Sequence, residues 1–206
     1  MENSWLNQIK RVQALACTGL VYSRDQYDQE RFDEIQAIAN NMLAQLSTAP
    51  LEQIVKLMPD MQNYPTPKVD VRAAVIEDNR ILLVREKNNG LWTLPGGFAE
   101  IGLSPSENVV KEVSEEACIT VTAQALYSVR HKSKGPFLPD VRDFYKLYFL
   151  CSRTDTSQPE AGPDVSEVRF FGIEALPELC TDRVVAEDIE RAFSFMANPK
   201  RLAWFD

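Results

Sequence analysis

The chain has 206 residues, 45% hydrophobic and 25% charged, the ordinary range for a globular protein able to close a core, so one full domain with a small appendage fits it best. A formal net charge of −8 disfavours a long nucleic acid as partner, because that binding draws on clustered Lys and Arg; a small anion bridged by a metal stays open. Cys17, Cys118, Cys151 and Cys180 lie far apart without a C-x-x-C pair, against a zinc site or a disulfide framework. The opening residues hold no basic stretch before an apolar run, and no segment reaches the length of a membrane span. The expectation is a cytoplasmic protein with reduced thiols and no membrane contact.

From Ser4 to Met58 the pattern is helical, and Phe32, Ile35, Ala39, Met42 and Leu46 fall on one predicted stripe. Gly19 and Pro50 are expected to break the region into about three helices, with Asp25 and Asp28 at the start of the middle one. So small a segment buries little by itself, which points its stripe toward the main domain or a second subunit, and makes a homodimer the expected assembly. Pro59, Pro65 and Pro67 mark a linker, since each removes a backbone donor and restricts its predecessor. The expected division is a helical region over 1–58, a linker over 59–67 and a main domain over 68–206.

After the linker the period changes to that of strands. Val69 to Ile76, a turn at Asp78-Asn79 and Ile81 to Arg85 read as a hairpin, and Leu91 to Leu94 adds a short strand. A helix is predicted from Ser104 to Ala117, with Pro105 in its first turn. Further strands are expected over Thr120 to Arg130, Asp143 to Cys151 and Glu167 to Phe171. A last helix spans Arg183 to Ala197, with Val184, Val185, Ile189, Ala192 and Phe193 on one face.

The most informative segment is LPGGFAEIGLSPSENVVKEVSEEACI, from Leu94 to Ile119. Helical spacing places Glu112, Glu115 and Glu116 within one arc, while Val110, Val113 and Ala117 take the opposite side. Crowded carboxylates raise one another's pKa unless cations share the site, and hard oxygen donors at this density suit Mg²⁺, with Mn²⁺ as the alternative. An acidic helical face is otherwise simply solvated. Here Pro95-Gly96-Gly97 precedes the helix, where glycines let backbone approach a ligand and offer a carbonyl to a metal.

These residues resemble the Nudix hydrolases, whose box reads G-x5-E-x7-R-E-U-x-E-E-x-G-U with U aliphatic. Gly97, Glu112, Val113, Glu115, Glu116 and Ile119 fall in register. Leu103 stands at the first Glu of the box, Lys111 at its Arg and Cys118 at its closing Gly. Lys111 keeps the charge without the bidentate fork, and Cys118 would be strained in a left-handed cap. The order of a helical region, VDVRAAVIED and the box looks like the bacterial branch acting on X-linked nucleoside diphosphates, CDP-choline and ADP-ribose pyrophosphatases among them.

The resemblance implies an α+β chain: an α/β/α sandwich on a mixed sheet, preceded by a small helical region. It implies Mg²⁺-dependent hydrolysis of the pyrophosphate in a nucleotide sugar or nucleotide alcohol. By it, Glu112 and Glu116 are the first metal ligands, Glu115 is a ligand or supporting acid, Gly96 the candidate carbonyl donor and Lys111 an accessory catalytic group; which glutamate is the base stays open. Glu100 and Glu167 are reserve carboxylates. For the substrate, Gly97 lines the loop and Trp92 and Phe98 are candidates to stack, against a place in the core. Arg72 is a candidate for a phosphate or a carboxylate, against a structural ion pair. His131, Lys132 and Lys134 open a polar loop expected to be solvent-exposed. Two other readings stay open, a catalytically reduced binding or sensor module and an RNA 5′-end pyrophosphohydrolase.

Overall fold

A computed structural model describes residues 4–47, 50–57, 64–198 and 200–206. The chain divides into two compact units, one holding residues 1–67 with Pro139–Asp143 and the other Lys68–Leu138 with Phe144–Asp206.

The first unit is helical: α1 (Ser4–Tyr22), α2 (Gln26–Ser47) and α3 (Leu51–Leu57). Gly19 does not break α1. It sits inside the helix, where a Cβ would lie 2.5 Å from the Phe32 ring, so the missing side chain lets α1 and α2 approach closely. The break falls instead at Ser23–Asp25, and the Asp25 carboxylate accepts from the Asp28 amide at 3.1 Å, satisfying a free donor of α2. Ile9, Ala39, Leu43 and Ile54 form the small core. The buried face of α2 is Gln36, Ala39, Asn40 and Leu43; of the predicted stripe, Ile35, Met42 and Leu46 stay exposed. Lys10 secures the Pro139–Asp143 stretch to α1, donating to the Asp140 and Arg142 carbonyls at 3.1 Å each and pairing with Asp143 at 2.7 Å. Residues 59–63 of the expected linker lie outside the described residues, and Tyr64–Pro67 hold no regular element.

The second unit contains β1 (Lys68–Glu77), β2 (Arg80–Glu86), β3 (Trp92–Thr93), α4 (Pro105–Ala117), β4 (Val121–His131), β5 (Phe144–Arg153), β6 (Val165–Gly172), α5 (Ala186–Ala197) and β7 (Trp204–Phe205). The sheet runs β3-β2-β1-β5-β4-β7, with β6 also on β2. It is mixed, since β1–β5 and β4–β7 pair parallel and the other pairs antiparallel. Strand alternation feeds both faces. Val71, Ala73, Val75, Leu82 and Val84 meet Val109, Val113 and Ala117 of α4 on one side. Ala74, Ile81 and Leu83 meet Ile189, Ala192 and Phe195 of α5 on the other, completing an α/β/α sandwich.

The start of the last helix moved, and one strand was not predicted. α5 starts at Ala186 rather than Arg183, because the Val185 amide donates to the Asp188 side chain at 3.1 Å and sets the helix start there. The short β7 carries no periodic signal and exists only through its pairing with Ser128 and Val129. The turn at Asp78-Asn79 has φ of 48° and 57°, the left-handed pair that a two-residue hairpin needs.

The hairpin also creates the site. β1 and β2 stay paired only at Ile76↔Ile81 and Glu77↔Arg80. Beyond that point the stretch after β3 takes over as partner of β1: the Ala73 and Val71 amides donate to the carbonyls of Pro95 and Gly97, and the Ala99 amide to Val69, at 2.8–2.9 Å.

Candidate active site

α4 is fixed at its start by local chemistry. Ser104 and Glu107 cap each other, the Ser104 amide donating to Glu107 Oε2 at 2.7 Å and the Glu107 amide to Ser104 Oγ at 3.3 Å, with Pro105 next in the first turn. Asn108, buried, ties the preceding loop to the helix: its Oδ1 accepts from the Glu100 amide at 2.7 Å and its Nδ2 donates to the Leu103 and Ser104 carbonyls at 3.2 and 3.1 Å. Sequence reasoning missed Asn108, although a polar residue four positions past the cap, in an otherwise apolar row, is its signal.

The Pro95-Gly96-Gly97 loop lies wedged between β1 and α4. Gly96 has φ of 142°, and a Cβ there would sit 2.0 Å from the Val71 carbonyl oxygen; at Gly97 a Cβ would sit 2.7 Å from Glu112 Oε1. Side chains at either position would push the strand, or the carboxylate, away. The Gly96 amide donates to Glu116 Oε2 at 2.9 Å. With the Pro95 and Gly97 carbonyls taken by β1 amides, the Gly96 carbonyl is the loop's candidate oxygen for a cation.

Burial sets the electrostatics. It pushes Glu116 up to about 7, with Arg72 and the Gly96 N–H pulling down and Glu112 adding repulsion. Glu112 is raised for the same first reason, with Arg72 opposing and Glu115 reinforcing. Behind the loop, Arg72 is 1% exposed and each of its guanidinium nitrogens is engaged: Nε and Nη2 donate to the two oxygens of Asp70 at 2.9 and 2.7 Å, and Nη1 to the Leu94 carbonyl at 3.1 Å. Lys146 donates to the same Asp70 at 2.9 Å. Burial by itself would raise the Asp70 carboxyl, but these two cations hold it well below the usual range, while burial lowers the Lys146 ammonium against the pull of Asp70. Asp70 and Lys146 were not foreseen. Two-residue alternation puts Asp70 on the face of Arg72, but only the β1–β5 register sets Lys146 opposite.

The other sequence candidates separate. Glu115 lies on the outer edge, where Lys111 bridges it at 2.8 Å to Glu100 at 3.0 Å. The hydrogen bonds from Glu115 and then Glu100 raise the Lys111 ammonium, so Lys111 orients two carboxylates as a point charge. Glu167 is held by Arg85 and Arg169, each at 2.7 Å. Trp92 is buried, edge-on to Phe171 at 4.8 Å, in the core beneath α5, a correction to its place as a stacking residue: β3 turns it inward. Phe98 remains about half exposed, stacked on Phe144 at 5.4 Å. The loop after β4 is not solvent-exposed as a whole: Lys132 is buried and pairs with Asp182, His131 is half-buried and shares a hydrogen bond with Ser133 at 2.8 Å, and Lys134 is exposed. Arg183, also unforeseen, pairs with Glu86 and is one of the charges acting on Glu116. Leu103 is exposed, and Cys118 caps α4 in the left-handed region at φ 55° and ψ 30°.

Among the described residues no three His, Cys, Asp or Glu side chains converge as a ready metal cluster. The donor set beside the loop nevertheless suits a hard cation. Two partly buried carboxylates, Glu112 and Glu116, each lie above their ordinary pKa chiefly through burial, and among the described residues the Gly96 carbonyl accepts no backbone hydrogen bond outside a helix or strand. Glu112 and Glu116 form the inner pair; Glu115 would have to leave Lys111 to join it.

Comparison with known proteins identifies the family. Residues 66–191 match the NUDIX domain and residues 3–58 a domain described as UDP-X-like, N-terminal oligomerisation. The chain belongs to the Nudix hydrolase family. It is 40% identical over 206 residues to YjhB of Bacillus subtilis (strain 168), named as a candidate ADP-ribose pyrophosphatase; the match covers 100% of this chain and 99% of that protein. Among solved structures it resembles a UDP-X diphosphatase at 31% identity and a TM-score of 0.64, covering 100% of both chains. It also resembles an ADP-ribose pyrophosphatase from Streptococcus suis 89-1591 at 34% identity and a TM-score of 0.62, covering 68% of this chain and 100% of that one.

Proposed function

We propose that this chain hydrolyses the pyrophosphate of a nucleoside diphosphate joined to a second group, a nucleotide sugar or nucleotide alcohol of the ADP-ribose, UDP-X or CDP-choline kind, with Mg²⁺ as cofactor and Mn²⁺ as its substitute. The observation that carries this reading is Glu116, a mostly buried carboxylate bonded to the Gly96 amide beside Glu112, with its pKa pushed up to about 7. The relatives named for ADP-ribose and UDP-X substrates support the substrate class.

In this reading Glu112, Glu116 and the Gly96 carbonyl hold the divalent cation, which when bound neutralises phosphate oxygens and favours ionisation of water. Gly97, lacking a side chain, leaves room for the Glu112 carboxylate against the loop. Lys111 keeps Glu115 and Glu100 in place at the rim, where Glu115 serves as a supporting acid rather than as a first ligand. Phe98 offers its half-exposed ring to the flat part of the substrate, while Arg72 acts from below on the two glutamates.

The chain acts as a homodimer through its helical unit, supported by the oligomerisation domain matched there and by the exposed apolar side chains of α2. A cytoplasmic location accords with four free cysteines, Cys17, Cys151 and Cys180 buried and Cys118 exposed. No described helix is long and apolar enough to cross a membrane.

The test is a panel of ADP-ribose, CDP-choline, UDP-sugars, FAD and a short 5′-triphosphorylated RNA, assayed with Mg²⁺ for phosphate released after phosphatase treatment. Turnover of a nucleoside diphosphate conjugate supports the reading. Micromolar binding without turnover of any compound identifies a binding module instead, and preference for the RNA moves the activity to 5′ ends.

A further inference from the structure

Arg72 presents a chemical problem. It is the leading charge acting on both Glu112 and Glu116, yet among the described residues it makes no hydrogen bond to either. Arg72 packs against the loop that holds Glu116, since a Cβ on Gly96 would lie 2.9 Å from the Arg72 Cα and the Gly96 amide donates to Glu116. A guanidinium beside carboxylates ordinarily closes on them, because charge-assisted bonds to a planar fork are among the stronger polar contacts in proteins. Such a closure would occupy the oxygens that a divalent cation needs. The planar fork is spent elsewhere. Both Nε and Nη2 go to Asp70, and Nη1 goes to the Leu94 carbonyl at the entry to the glycine loop.

Asp70 is itself held from the far side. Its partner across the β1–β5 register is Lys146, which donates to Oδ1 at 2.9 Å, the same oxygen that accepts from Arg72 Nε. Asp70, Arg72 and Lys146 are 4%, 1% and 2% exposed, so the arrangement is fixed inside the sheet rather than at a mobile surface. Removal of a partner inside such a network leaves the survivors to find other charges nearby.

We infer that Asp70 is a positioning residue that holds Arg72 off Glu112 and Glu116 and thereby keeps those two carboxylates open to a divalent cation. This rests on the reading of Glu112 and Glu116 as the cation ligands. Without Asp70, Arg72 turns upward and competes with the cation.

The experiment measures Mn²⁺ binding to the full chain by loss of the free-ion electron paramagnetic resonance signal, without substrate. The paired change D70N/K146M removes a buried anion and a buried cation together, so no lysine is stranded; if that protein melts too low to assay, D70N/K146Q, which also leaves no buried charge unpaired there and keeps a polar side chain at 146, carries the same test. D70N/K146M is expected to raise the Mn²⁺ dissociation constant about tenfold or more, the size of effect a single charge-assisted contact exerts. Adding R72M removes the competitor and is expected to bring the constant back to within about threefold of the parent, a recovery that loss of folding alone does not give. K146M by itself leaves the Arg72–Asp70 fork intact and is expected to bind Mn²⁺ within about threefold of the parent. An unchanged constant in a cooperatively folded D70N/K146M, or weakened binding that R72M does not recover, overturns the inference. If E112Q/E116Q fails to weaken Mn²⁺ binding, the ligand reading falls and the inference falls with it. If E112Q/E116Q weakens binding but D70N/K146M does not, only the role of Asp70 is wrong.

Discussion

The helical unit and the catalytic unit treat apolar residues in opposite ways. In the catalytic unit, β1 and β2 send alternate side chains to two faces, and each face is sealed by a helix. In the helical unit, α2 buries Gln36 and Asn40 beside Ala39 and Leu43 while Ile35, Ile38, Met42 and Leu46 face outward. Gln36 Nε2 lies 3.0 Å from the Cys17 sulfur, and Asn40 Oδ1 is buried without a hydrogen-bond partner among the described residues. The catalytic fold closes its own core; the small helical unit leaves an apolar stripe exposed, the surface proposed above for self-association. The contrast teaches that a hydrophobic stripe read from sequence does not by itself mark the face a unit buries in its own core.

The sharpest way to break the contrast is on the catalytic side. Glu116→Gln removes one carboxylate charge with little change of shape, and turnover is expected to fall by about 10²-fold or more while the thermal midpoint without metal does not fall. A normal rate, or an unfolded protein, refutes the assignment. On the helical side, Ile38→Glu with Met42→Glu places charge on the outward stripe. Sedimentation is expected to show self-association weakened by roughly 10²-fold, since each buried aliphatic side chain is worth about 1.5–3 kcal/mol. An unchanged assembly moves the interface elsewhere.

Proton linkage sharpens the comparison further. The folded chain holds the Glu116 proton more tightly than the unfolded one, so ionisation costs the folded state: this contribution to stability is full below the ordinary value of 4.5 and is lost as pH rises to about 7. In metal-free buffer, stability is expected to drop by roughly 3 kcal/mol across that window, with Mg²⁺ or Glu116→Gln flattening the slope. Melting curves across the same range measure it, and a flat metal-free profile contradicts the burial of Glu116. The smallest expected effect is at Cys118, whose φ of 55° suits glycine. Cys118→Gly should stabilise the catalytic unit by about 0.5–1 kcal/mol, because relief of left-handed strain exceeds the added freedom of the unfolded chain. Denaturant midpoints check its sign.

Much of the catalytic unit was legible in the sequence because its signals are local. The Asp78-Asn79 turn, the Ser104 cap and the alternation of β1 depend on residues that touch their near neighbours, and so do Gly96, Gly97, Glu112 and Glu116 on one loop and one helix. Trp92 was ambiguous because an aromatic at the end of a strand reads alike whether its ring faces a pocket or Phe171. Gly19 was read as a breaker because its reason, the ring of Phe32 on another helix, is not a neighbour in sequence.

By itself, then, the sequence determined the class of fold, the glycine loop and the acidic helix, since short-range spacing and backbone preference set all three. Tertiary structure alone decided which carboxylates turn inward, that Lys111 draws Glu115 to the rim, and that Asp70 and Lys146 meet beneath Arg72. Those outcomes depend on strand register and on burial, which arise only when distant segments pack together and exclude water.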